Sequence, residues 1–166
     1  MANNFEINFD PDCFIPPSTN SPGRGVAQNR TYLAFATDDP GETCYTPAFR
    51  MPTAYTGSGT LKLAIGYFMA SATTGDVVWS CAVEAVTDAD ATDLDSASSF
   101  DTANTATVTV PATQGYLDVA TITLTNKDSV AAGDMVRLAI HRDSDAAGDN
   151  AGGDACLLYA TLYEEA

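Results

Sequence analysis

The only histidine of the chain, His141, stands in the run His141-Arg142-Asp143, the one place where an imidazole and a carboxylate are close together. A base oriented by an acid must also face a nucleophile. No Gly-x-Ser-x-Gly turn or other nucleophile signature accompanies the run, so His141 reads as a structural residue at a strand end. Arg142, beside Asp143 and Asp145, is expected to form an exposed ion pair that orders its loop, worth about 0–1 kcal/mol. Asp88, Asp90, Asp93 and Asp95 offer the oxygen ligands a hard cation takes, but without the EF-hand glycine and distal glutamate. Asp145, Asp149 and Asp154 share that weakness, and both runs read as solvated acidic loops with no metal.

The four cysteines, Cys13, Cys44, Cys81 and Cys156, form no CxxC pair. With one imidazole in the chain they do not make a zinc site. Cys81 and Cys156 fall within apolar strand patterns, where a free thiol behaves as a small hydrophobe. No charged and apolar leader opens the chain, which argues against an oxidising compartment and for synthesis in the cytoplasm. Carboxylates paired for glycoside hydrolysis would sit in an aromatic-lined cleft, and the aromatics show no cluster. Trp79 lies mid-strand and is expected in the core. These readings leave no catalytic residue and no cofactor.

The 166 residues suffice for one domain with a real core, and 45% are hydrophobic. Seven Lys and Arg against 22 Asp and Glu give a net charge of −15. That balance disfavours a phosphate backbone and an anionic membrane surface as partners. No apolar run reaches the length of a membrane span.

Residues 1–29 carry Pro11, Pro16, Pro17, Pro22, Gly23 and Gly25, and read as an extended N-terminal arm. Phe5, Ile7, Phe9, Phe14 and Ile15 give this arm apolar anchors for the domain or a neighbouring subunit. Residues 30–166 read as a β-sandwich domain. Strands are predicted over Thr31–Ala36, Tyr45–Met51, Leu61–Ala70, Val77–Val86, Thr105–Val110, Tyr116–Thr125, Asp134–His141 and Ala155–Tyr163. Pro47 makes the second an edge or irregular strand. Leu61, Leu63, Ile65, Tyr67 and Met69 alternate on one face, as do Val77, Trp79, Cys81 and Val83. These two strands are expected to form a long central hairpin across Thr73-Thr74-Gly75-Asp76. A slip in alternation near Ala120 suggests a bulge. Residues 87–104 read as an exposed loop with a short helical turn near Asp95–Phe100. The fold class is therefore all-β: an antiparallel sandwich of about eight strands, jelly-roll-like.

Two segments carry a resemblance. Ala70, Ser71, Ala72, Gly75, Val77 and Trp79 lie within residues 59–86, and Gly133, Asp134, Leu138, Arg142, Asp143 and Asp145 within residues 132–165. Together they resemble small proteins from the structural gene blocks of tailed bacteriophages, over about residues 45–165. The resemblance implies a non-enzymatic virion component, foremost a capsid decoration (cement) protein. Such a protein is expected to act as a homotrimer bound to the major capsid protein or another virion protein. The alternative is a tail or fibre module that binds a receptor or carbohydrate, for which exposed aromatics are required; Tyr55, Phe100 and Tyr116 are the candidates.

Overall fold

In the computed structural model, which describes residues 2–88 and 90–166, all regular structure is β and no residue is helical. The alternating segments form two antiparallel sheets with their apolar faces together, the arrangement that hides both faces at once. The strands are β1 (Asn3–Phe9), β2 (Gly23–Ala27), β3 (Arg30–Phe35), β4 (Thr43–Tyr45), β5 (Phe49–Arg50), β6 (Thr60–Met69), β7 (Asp76–Val86), β8 (Asn104–Thr109), β9 (Asp118–Thr123), β10 (Met135–Arg142) and β11 (Ala155–Glu165). The first sheet has the order β2-β3-β11-β6-β9, with β1 also pairing β11. The second has the order β4-β10-β7-β8, with β5 also pairing β10. From β5 onward the chain crosses between sheets at every step except β7 to β8, which is jelly-roll topology.

All eight expected strands are present. The surplus over eight has two sources: β1 and β2 come from residues 1–29, and Pro47 splits one strand into β4 and β5. Leu63, Ile65, Tyr67, Val77, Trp79, Cys81 and Val83 are fully buried, on the faces their alternation assigned. Trp79 of the second sheet meets Phe35 and Tyr67 of the first edge-on, at 5.2 and 5.5 Å between ring centroids. Aromatic contact thus locks the two layers at their middle.

Several expectations are corrected. β6 and β7 are long and central but do not pair with each other: β6 lies between β11 and β9, and β7 between β10 and β8. Alternation reports which face is buried, not which strand is the neighbour. No bulge occurs at Ala120, because β9 runs in continuous register with β6. Ala120, Ile122 and Leu124 face inward while Leu117 and Val119 are 57% and 42% exposed. Register shifts lie instead in β11, between Leu157 and Tyr159, and in β1, between Asn3 and Glu6. The turn at 94–96 does not develop into a helix, and the loop returns over the second sheet. There Phe100 packs against Tyr45 (5.7 Å) and beneath the Arg137 guanidinium (5.2 Å).

Residues 1–29 are not an arm apart from the sandwich. β1 pairs along β11, Ile15 exchanges backbone hydrogen bonds with Tyr45 of the second sheet, and β2 returns to the first sheet beside β3. Phe9 and Phe14 are core residues, and Phe5 and Ile7 pack against the core, while Ile15 is 52% exposed. The apolar anchors therefore close the open side of the protein's own sandwich, where the largest return in buried surface lies. No helix of the described residues is long and apolar enough to cross a membrane.

Candidate functional site

The edge of β11 is shared. β3 pairs with Ala155–Leu157 and β1 with Ala160–Glu165, so neither covers the residues between. The register shift falls in that gap and turns Leu158 and Tyr159 to the outer face. Bulges commonly re-aim a side chain in this way next to a binding site. The result is an open groove of about 830 Å³ on the outside of the first sheet. Phe68, Leu158 and Tyr159 line its floor, Gly115 and Leu117 one side, and Asp10, Gln28, Asn29 and Arg30 the other.

Gly66 sets the position of Tyr159. A Cβ there would fall 2.2 Å from the tyrosine ring, so only glycine lets the ring lie down over β6. Gly25 does the same for Tyr32, whose ring would be 2.3 Å from such a Cβ. Tyr32 in turn meets Phe68 edge-on at 5.4 Å. Beyond the groove wall, Tyr116 is 63% exposed beside Leu117. On the inner face of the sheet, the Tyr67 hydroxyl donates to Asp118 at 2.9 Å and ties β6 to β9.

Of the aromatics proposed from the sequence, only Tyr116 is exposed. Tyr55 is buried, edge-on to Phe5 at 6.1 Å, and its hydroxyl accepts from Lys127 at 3.0 Å. Phe100 is held between Tyr45 and Arg137. Sequence reasoning misses Tyr32, Phe68 and Tyr159, which sit outward on strands whose inward residues dominate the pattern. The signal available is the glycine within a strong strand, at Gly66, since strand glycine marks close approach by another group; Gly25 lies where no strand pattern is legible.

Elsewhere the candidates are structural. Arg142 does not pair with Asp143 or Asp145. Its parity follows Leu138 and Ile140, so it points inward, fully buried at one end of the sandwich. It donates twice to Asp149, at 2.6 and 2.9 Å, and to the carbonyls of Ala151 and Gly153. Asp149 also accepts the backbone N–H of Val78. In the other acidic run Asp93 accepts from Ser96 and Asp95, which lowers its pKa. Among the described residues no three His, Cys, Asp or Glu side chains are grouped to hold a metal ion. All four cysteines are free thiols; Cys44, Cys81 and Cys156 are buried, which raises their pKa, for Cys156 to about 12. Such thiols are poor nucleophiles at neutral pH.

His141 lies opposite Thr43 and Ser80 in the second sheet, and burial lowers its pKa against the opposing pull of Asp143 and Asp145. A histidine whose pKa is lowered by folding is charged more readily in the unfolded chain. Its contribution to stability is whole above the ordinary imidazole value of about 6.5 and is lost as pH falls below it. In thermal melts between pH 8 and pH 5, the Tm of the wild type should therefore fall more steeply than that of His141→Gln. Parallel curves would show that His141 is equally solvated in both states.

No family model and no curated protein matches the chain. Among solved structures the chain is similar to the C-terminal CBM6 of LamC, a marine laminarinase from Zobellia galactanivorans. The match has a TM-score of 0.52 at 11% identity and covers 96% of this chain and 100% of that one. That likeness establishes the β-sandwich fold.

Proposed function

We propose that this protein is a non-catalytic glycan-binding module, in the setting of a tailed-phage tail or fibre that the sequence resemblance implies. The observation that carries the reading is Tyr159, laid over Gly66 on the floor of an open groove whose rim bears Asp10, Gln28, Asn29 and Arg30. A sugar ring presents an apolar face for stacking and a rim of hydroxyls for polar groups. An aromatic floor with a polar edge matches both. The fold neighbour, a CBM6, supports the same reading. A glycan array that includes β-glucans, followed by titration of the strongest binder, tests it. Tyr159→Ala should weaken binding roughly tenfold or more, as loss of a central aromatic contact does. An array silent for the wild type would end this reading.

A second reading is capsid decoration as a homotrimer on the major capsid protein. One observation favours it: Tyr116, Leu117 and Val119 form an exposed apolar strip on an otherwise acidic molecule. Such a strip suits burial against a protein neighbour. Light scattering and co-sedimentation with capsids test this role; a monomer that leaves capsids unbound would exclude it.

A further inference from the structure

Gln28 and Asn29 are the two central residues of the β2–β3 hairpin, closed by the Ala27–Arg30 pair. Both lie in the left-handed region, with φ of 49° and 65°. A two-residue hairpin with the usual twist requires this, and Gly, Asn and Asp are the residues that accept it with least strain. Asn29 fits the rule, whereas Gln28, with a longer side chain, does not. The chain contains a second pair of this kind, Asp128 and Ser129, with φ of 52° and 53°. There the first side chain has a structural role, since the Asp128 carboxylate accepts the backbone N–H of Ala85 at 2.8 Å. The Gln28 amide has no protein partner among the described residues, and it lines the groove opposite Leu117.

We propose that Gln28 is a specificity-determining residue of the groove, its amide hydrogen-bonding the hydroxyls of a neutral oligosaccharide stacked on Tyr159. The assignment rests on the glycan-binding reading above. Strain retained at a position where a smaller residue would fold more easily points to a function for the side chain. An amide donates and accepts at once, as a sugar hydroxyl pair does. The occupant is a neutral glycan because a chain of net charge −15 repels a polyanionic one.

The test titrates cellohexaose, xylohexaose, mannohexaose and polygalacturonate into the wild type, Gln28→Gly and Gln28→Asn by calorimetry, with Tm measured for each. Gln28→Gly should raise Tm by about 1–3 °C as strain is relieved. The same change should weaken the bound neutral hexasaccharide roughly tenfold. Gln28→Asn should also raise Tm and lose less affinity, because it keeps an amide on a shorter reach. Polygalacturonate should bind none of the three. Affinity for the neutral sugar within twofold of wild type in Gln28→Gly would overturn the assignment. So would a lowered Tm in that variant, which would make the side chain structural, or a preference for polygalacturonate. Binding lost in Tyr159→Ala but kept in Gln28→Gly would overturn this assignment alone. A wild type that binds none of the four and leaves the glycan array silent would overturn the glycan reading and the assignment with it.

Discussion

Arg142→Leu is expected to destabilise the protein by about 3–5 kcal/mol, the range for removing one partner of a buried ion pair. The reason lies in what remains. The Asp149 side chain is 2% exposed and would be left buried without its counter-ion. The carbonyls of Ala151 and Gly153 would also lose their donor. A Tm fall of roughly 6–20 °C corresponds to that loss in a domain of this size. Trp79, fully buried and the only tryptophan, provides the fluorescence signal for denaturant titration. Arg142→Lys should be nearly as damaging, because an ammonium cannot reproduce the two-pronged contact. The control is Arg24→Leu, which breaks the pair with Asp12, where the two side chains are 44% and 62% exposed. That change should cost less than about 1 kcal/mol. Equal effects of the two substitutions would contradict the role assigned to burial.

Glu164→Ala should cost about 2–4 kcal/mol through the opposite end of the sandwich. Glu164 follows Leu162 in pointing inward and is fully buried. Its carboxylate accepts from Asn4 at 2.6 Å, from the backbone N–H of Thr56 at 2.9 Å, from the Thr56 hydroxyl at 3.0 Å and from the Gly59 N–H at 3.2 Å. It thereby fastens both β1 and the loop at 51–59 to β11, and its removal leaves two backbone donors without an acceptor. Burial pushes its pKa up, but the hydrogen bonds outweigh this and the net displacement is downward. A carboxylate whose pKa is lowered by folding stabilises above its ordinary value, and the contribution is lost as pH falls through the lowered one. Denaturant titrations at pH 7 and in the acid range should therefore show the gap between wild type and Glu164→Gln closing with acid. A gap that persists would mean that packing, not charge, fastens the loop.

The charged plugs at the two ends show how little a charge by itself announces. Arg142 follows Val136, Leu138 and Ile140 in strict alternation, and Glu164 follows Leu162, so both are legible as inward-facing by parity. Proximity along the chain nevertheless points Arg142 to the nearest acids, Asp143 and Asp145, since proximity is all a sequence displays. The partner, Asp149, is brought back by the folding of the loop. Residues 1–29 read as a separate arm for a related reason. Phe5, Ile7 and Phe9 alternate as a strand should, but the prolines and glycines that follow obscure the pattern. Only the free edge of β11 gives those residues a place to pair.

The all-β class, the eight strands of the sandwich, the inward faces of β6 and β7, and the net charge of −15 are all legible in the chain without its fold. These follow from local rules, because alternation and turn chemistry act over a few residues and survive without knowledge of neighbours. The tertiary structure alone decided which strands pair, where the register of β11 shifts, and that Tyr159, Phe68 and Gln28 line one groove. That groove joins residues from β6, β11 and the β2–β3 turn, and it exists because β3 and β1 leave a gap on a shared edge. A gap between strands distant in the chain is a property of their pairing, so no local pattern of residues encodes it.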